Sequence, residues 1–262
     1  MSNFAAAWET EWLLCRRSTI VRLATALLLL VIPAGSVGAV ALARADVAAT
    51  ITTAKFTPYA SGPLAETHVL VAAQILSVAL LMAGGFAMAW TFGQEIATGL
   101  AGARTGMTTS RSSVALAKVL VHLTWLAGCV AGVVGLTVAA SALVCAVTGQ
   151  VFDDGVWNRA GLALVVGLLS AGLTIPFGWV ATLTRSPLGT IGALIGVVVV
   201  TQLVTALGGG PWFPYAAPSL WAEMGGVEAA ADIGLPQLLL TAAVLPAGAA
   251  ATVYAWRRLD DV

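Results

Sequence analysis

The stretch Glu95–Lys118, EIATGLAGARTGMTTSRSSVALAK, lies between two long apolar runs and carries three cations. The whole 262-residue chain holds only 12 Lys and Arg, so a quarter of its cations stand in this one segment. A polar segment with several glycines between two apolar runs is typical of a water-exposed connection between membrane helices. The segment therefore predicts a membrane protein with a loop at residues 95–118.

The composition of the chain supports a membrane location. Hydrophobic residues make up 59% of the chain and charged residues 9%, with a mean hydropathy of +0.95. A soluble protein carries about a quarter charged residues, and so few charges would not cover a water-facing surface. A net charge of zero and a pI near 6.7 argue against nucleic acid as a partner. The cysteines have no close spacing, so neither a disulfide framework nor a metal site is predicted.

Six apolar runs are close to or above the roughly 20 residues that a membrane-spanning helix needs. We predict an all-α integral membrane protein with a single transmembrane domain over residues 1–262. The third run is longer than a bilayer requires and is expected to tilt or project. The runs cover approximately residues 20–42, 69–92, 119–147, 160–183, 187–208 and 235–256.

Residues 4–17 precede the first run and have an amphipathic pattern. Phe4, Trp8, Trp12 and Cys15 recur at helical spacing, and charged residues lie elsewhere around the helix. This pattern predicts a helix in the membrane interface, with Trp at headgroup depth. A disordered tail is the alternative.

Residues 209–234, between the fifth and sixth runs, combine aromatic residues with three prolines. Such a segment suits short helices or a re-entrant segment at the outer interface. An ordinary aromatic belt on a loop remains an equal alternative.

The positions of Lys and Arg predict that both termini are cytoplasmic. Nine cations fall on the side that holds both termini, the loop 95–118 and the turn after the fourth run; the other side has Arg44, Lys55 and Arg159. Cytoplasmic loops carry the excess of Lys and Arg, so this side is the inside and residues 209–234 are extracellular. The nine inner cations are Arg16, Arg17, Arg22, Arg104, Arg111, Lys118, Arg185, Arg257 and Arg258.

Catalytic chemistry has no candidate residues. The centres of the apolar runs contain no Asp, Glu, Lys or Arg, which argues against ion-coupled carriers and hydrolases. His122, one turn after Lys118, is expected to be an interfacial residue rather than a catalytic one. No nucleotide-cradling G-x-x-x-x-G-K-[ST] motif occurs. We therefore predict no enzyme, no metal and no cofactor in this chain, and any active transport needs energy from another chain.

The loop also carries a spaced motif, formed by Glu95, Gly99, the pair Ser110-Arg111, and Lys118. With six spans and both termini inside, this motif resembles the loop after span two of ABC-2 type transporter permeases, the membrane subunits of many bacterial ABC exporters. The ending Trp256–Asp260 resembles the aromatic-Arg-Arg-x-Asp ending of that family. Two positions depart from its pattern: Thr108 stands where proline is common and Gly102 where a basic residue is common.

The resemblance implies that residues 95–118 form a coupling loop with a short helix, docked on a cytoplasmic ABC ATPase that binds ATP and Mg. It also implies a second permease copy, either identical or related, in a bacterial cytoplasmic membrane. A plain loop that merely follows the distribution of cations is the alternative. The residues expected to contact or transmit force from the ATPase are Glu95, Gly99, Leu100, Arg104, Thr105, Gly106, Met107, Arg111 and Lys118.

An exporter of this family would move its substrate along faces of spans two and five. A path without fixed charges suits an amphiphilic or apolar substrate, and membrane lipids surround the chain. A six-span scaffold or assembly protein without ATPase coupling is the alternative function, and a lipid-acting enzyme is disfavoured. The candidate path residues are Gln74, Met82, Phe86 and Gln202.

Overall fold

The computed structural model describes residues 3–45, 59–99 and 110–259, which form helices and no strand. The long helices are α1 (Asn3–Arg17), α2 (Thr19–Arg44), α3 (Leu64–Ala97), α4 (Arg111–Thr148), α5 (Gly155–Gly172), α6 (Pro176–Thr184), α7 (Pro187–Ala206) and α10 (Leu235–Arg257). Between α7 and α10 lie a 3-10 turn (Gly210–Trp212) and two short helices, α8 (Ala217–Trp221) and α9 (Val227–Ala231).

Among the residues that the structure describes, six helical segments are long and apolar enough to cross a membrane, which confirms the predicted all-α class and the six apolar helices. Helices α5 and α6 together form the fourth segment. The shortest, α7, has 20 residues, which at 1.5 Å per residue covers about 30 Å, the thickness of a bilayer core. Helix α4 has 38 residues and, as expected, exceeds that length.

The segment between the second and third spanning helices is shorter than residues 95–118. Helix α3 continues through Glu95 to Ala97, and α4 begins at Arg111, with the Ser110 hydroxyl accepting a hydrogen bond from the Ser113 amide at 3.2 Å. Glu95 and Lys118 are therefore helical. Their side chains form an ion pair at 2.6 Å. The connecting segment is 98–110, of which 100–109 lie outside the described residues, as does the expected short helix.

The fourth spanning segment is divided at Pro176. Proline lacks an amide hydrogen and clashes with the preceding turn; α5 ends at Gly172 and α6 begins at Pro176. Helix α10 packs on this break through Gly248, where an added Cβ would lie 2.8 Å from the Pro176 ring. Pro246, by contrast, lies inside an α10 that continues to Arg257.

Helix α3 forms the centre of the bundle and packs against α2, α4, α5, α6 and α7. Its residues Leu76 and Leu80 belong to one buried cluster, and Met88 and Phe92 belong to a second, nearer its C-terminal end. By contrast, α7 buries only Thr190 and Leu194. The structure thus has one central helix and a peripheral fifth span.

Short helices are present within residues 209–234, which is one of the alternatives that the sequence left open. The segment is attached to the bundle where the Gln74 side-chain amide donates to the Ala222 carbonyl at 2.9 Å. Arg159 of α5 adds an ion pair to Glu223 at 2.6 Å. These contacts hold the segment against α3 and α5, on the end of the bundle opposite to residues 98–110.

Candidate functional site

Lys118 is the centre of a buried charge cluster beside residues 98–110. Its side chain lies in the second turn of α4, and the residue is only 3% exposed. The ammonium donates to Glu95 Oε1 at 2.6 Å and to Glu11 Oε2 at 2.7 Å. Glu95 lies in the last turn of α3 and Glu11 lies on α1, so one lysine joins three helices. We call Glu11, Glu95 and Lys118 the ion triad.

Two aromatic rings lie next to the Lys118 ammonium. The ring centroids of Phe92 and Trp256 are 5.9 and 6.0 Å from Nζ, and the two rings meet edge to face with centroids 5.3 Å apart. Cations are attracted to aromatic faces at such distances. Trp256 Nε1 donates to Thr182 Oγ1 at 3.1 Å. The surroundings of the triad therefore extend to α6 and α10.

Burial makes the pairing of the triad obligatory. Removing an ammonium or a carboxylate from water is costly, and attraction offsets that cost only when the charges are well paired. All three side chains are largely buried, with relative exposures of 1% for Lys118, 4% for Glu11 and 13% for Glu95. Movement that separates the helices therefore exposes or unpairs a charge, so α1 and the adjoining ends of α3 and α4 are held together.

A cavity of about 200 Å³ adjoins the triad between α1, α3 and α4. Cys15, Trp90 and Trp125 are among its lining residues. Burial chiefly, then the nearby Cys129 and Glu11, raise the Cys15 pKa to about 11. The thiolate is the nucleophilic form of cysteine, so Cys15 at neutral pH is an unreactive thiol in the cavity wall.

His122 is a buried structural residue one turn further along α4. Its Nε2 lies 3.1 Å from Thr174 Oγ1. The Thr174 hydroxyl donates its single hydrogen to the Ala171 carbonyl at 2.7 Å, so the His122 ring must donate to Thr174. His122 thus bonds to the break between α5 and α6 and is buried within the bundle.

The described coupling residues all lie around the ends of α3 and α4. Glu95 and Lys118 are in contact, whereas Gly99 and Arg111 stand at the two ends of the connection. Gly99 has φ +73°, a left-handed conformation that favours glycine. The other predicted coupling residues, Leu100, Arg104, Thr105, Gly106 and Met107, lie outside the described residues.

The four predicted path residues do not converge. Gln74 is buried and hydrogen-bonded to Tyr59 and Ala222. Met82 and Phe86 line an apolar groove of about 530 Å³ between α2 and α3. Gln202 is exposed on α7, beside a separate cavity that Tyr215 also lines. The structure brings together only Met82 and Phe86.

Sequence reasoning missed Glu11 as a partner of Lys118. The apolar spacing draws attention to Trp8 and Trp12, which are expected at headgroup depth, whereas the buried residues of α1 are Ala7 and Glu11. The tryptophans are only partly buried and stack on each other with centroids 6.1 Å apart. The available signal was the spacing of Glu11 from Ala7 and Cys15, which places it between two small residues on one face.

In the part of the chain that the structure describes, no group of three or more His, Cys, Asp and Glu side chains is arranged to hold a metal ion. In comparisons with known proteins, no protein-family model matches the chain and no curated protein matches it significantly.

Proposed function

We propose that this chain is the permease subunit of an ATP-binding cassette exporter in a bacterial cytoplasmic membrane. It moves an amphiphilic or apolar substrate with energy from ATP and Mg in a separate ATPase subunit. The observation that carries the proposal is the ion triad, which joins both helices flanking residues 98–110 to the N-terminal helix.

The triad gives residues 98–110 a mechanical connection to the bundle. A partner that displaces this segment acts on the C-terminal end of α3 and the N-terminal end of α4. Because Lys118 pairs with Glu95, the two ends move together, and because it also pairs with Glu11, α1 follows them. The contact of Trp256 with the same lysine extends this unit to α10.

The proposed orientation rests on the cations. If each of the six spanning-length segments crosses once, both termini lie on one side. The excess of nine Lys and Arg over three on that side favours the cytoplasm. Residues 98–110 then face the ATPase, α1 lies in the inner interface, and the short helices α8 and α9 are extracellular.

The substrate proposal is supported by the groove between α2 and α3. Its wall near Met82 and Phe86 consists of apolar side chains, including Leu27 and Ile75. A second permease copy, identical or related, completes the path in this proposal. An apolar surface of this kind suits the hydrocarbon part of an amphiphile.

The test is co-purification of the chain with an ATPase, followed by measurement of ATP turnover. Replacing Arg104–Met107 with a four-residue Gly/Ser linker is expected to abolish stimulation of turnover. The matched control replaces Val227–Ala230, four residues that begin at α9 on the opposite end of the bundle, and is expected to leave stimulation unchanged. Unchanged stimulation in the loop variant contradicts coupling. Failure of any ATPase to co-purify with the unmodified chain favours the scaffold function.

A further inference from the structure

Another cavity, of about 360 Å³, lies at the corner where α1 meets α2 and α4. Its size falls in the range of about 300–1,000 Å³ that is typical of ligand pockets. Arg16 from α1 and Arg22 from α2 line it, together with Trp12, Thr25 and Trp125. It is distinct from the groove that holds Met82 and Phe86.

No carboxylate among the described residues pairs with the arginines at this corner. Arg16, Arg17 and Arg22 are exposed and form no ion pair with any described residue. Arg22 Nη2 donates one hydrogen bond to the Arg17 carbonyl at 3.1 Å, which ties the guanidinium to the C-terminal end of α1. A guanidinium has five N–H donors, so most of the donors remain for an anion. The nearby Glu11 carboxylate is committed to Lys118.

The rest of the cavity is apolar and held in place. Trp125 Nε1 donates to Thr25 Oγ1 at 2.8 Å, which fixes the indole ring against α2. Ala26, one turn beyond Arg22 along α2, also lines the cavity, so an apolar wall lies about 6 Å along the helix from the arginine. The cavity therefore combines two arginines with an adjoining apolar wall.

We propose that this cavity binds an anionic phospholipid, with the phosphate between Arg16 and Arg22 and the start of an acyl chain against Ala26 and Trp125. Basic pockets between membrane helices bind anionic headgroups because charge attraction and acyl burial act together. Trp12 and Trp125 are suited to the interface, since an indole has an apolar body and one polar N–H. This inference rests on the proposed function, in which α1 lies in the inner membrane interface.

Occupancy of this site links lipid composition to α1. Cys15 lines both this cavity and the one beside the ion triad, so a single turn of α1 separates the lipid from Lys118. A bound lipid would hold Arg16 of α1 to Arg22 of α2 through a shared phosphate. It would thereby fix the angle at which α1 leaves the first span.

The test uses the detergent-purified chain and native mass spectrometry with added dioleoyl phosphatidylglycerol or dioleoyl phosphatidylcholine. We expect selective retention of phosphatidylglycerol. In the variant Arg16→Gln/Arg22→Gln, its affinity should fall roughly thirtyfold, because each basic side chain near an anionic lipid contributes about a fivefold change. The matched control Arg257→Gln/Arg258→Gln removes two arginines from the end of α10 and should retain the affinity of the unmodified chain.

Equal binding of both lipids, or an equal loss in the control variant, overturns the proposal. Displacement of the lipid by an equal concentration of glycerol 3-phosphate also overturns it, since that result means a site for soluble anions. If the double variant does not fold, each single variant is measured, and about a fivefold loss in each supports the site while no loss contradicts it. No ATPase is present in this assay, so its failure is separate from failure of ATPase coupling.

Discussion

Lys118 shows that one cation of this chain has a role beyond orientation in the membrane. A lysine that only followed the distribution of cations would lie in water, whereas Lys118 is almost fully buried and paired with two carboxylates. A burial of this kind is stable only while the partners stay in place. At the residue scale, we therefore expect loss of one charge of the ion triad to lower the stability of the bundle near the ends of α3 and α4.

Replacing Glu11 with Gln is expected to destabilise the chain. A Gln oxygen still accepts from Lys118 but no longer neutralises it, so the loss should be roughly 1–3 kcal/mol. That loss should lower the thermal unfolding midpoint in detergent by several degrees at a fixed heating rate.

The matched control for this change is Glu9→Gln, which removes the same charge from an exposed position on α1. Its unfolding midpoint should equal that of the unmodified chain. Equal midpoints for the Glu9 and Glu11 variants would show that the triad contributes nothing to stability.

The break between α5 and α6 shows how elements fit at close range. Tight turns such as Thr174 N–H to the Ala171 carbonyl replace the regular helix at the break. His122 donates to Thr174 there, and Gly248 lets α10 approach the Pro176 ring. The close approach depends on the missing side chain at Gly248. At the element scale, steric fit at Gly248 and Pro176, rather than charge, determines how closely α10 approaches α6.

Gly248→Ala is expected to destabilise the contact between α6 and α10. The new Cβ would lie 2.8 Å from Pro176 Cγ and 2.9 Å from its nitrogen, and neither a proline ring nor backbone can rotate away. Overpacking of this kind costs about 1–3 kcal/mol. The measurement is the thermal unfolding midpoint, compared with that of Gly161→Ala.

Gly161 is the suitable comparison because it is also helical and has no atom within 4 Å of an added Cβ. Alanine there gains helix propensity of up to about 1 kcal/mol, so its midpoint should stay equal or rise. A midpoint for Gly248→Ala as high as that for Gly161→Ala would refute the packing argument.

At the scale of the whole molecule, charges gather at the two ends of an apolar bundle. One end holds the ion triad and the arginines of the α1–α2 corner, and the other holds the pair Arg159–Glu223. At this second end, the side chain of Gln74 also binds the carbonyl of Ala222, directly after α8. The proposed orientation makes the first end cytoplasmic and the second extracellular.

A single cysteine at Val227 is expected to react with a membrane-impermeant maleimide in intact cells. Val227 is 72% exposed at the start of α9, on the proposed outer side. A cysteine at Thr184, exposed at the C-terminal end of α6, should react only after lysis. Both are measured with Cys15, Cys129 and Cys145 replaced by serine. The opposite labelling order would invert the proposed orientation and place residues 98–110 outside.

The membrane class and the number of spanning helices were determined by the sequence alone. A run of about 20 apolar residues must become a helix in a bilayer, because every backbone polar group has to be satisfied within the segment. Both features depend on residues that are neighbours in the chain, so no distant contact was needed to predict them.

The contact of Glu11 with Lys118 was decided by the tertiary structure, because 107 positions separate the two residues. The membrane-spanning helices are apolar on nearly all sides, so their patterns do not show which face meets another helix and which meets lipid. Gln74 illustrates the same limit: it was a candidate path residue, yet packing places Tyr59 and Ala222 on its amide. The positions of charged and polar groups in this chain depend on which helices meet, and only the packed bundle decides that.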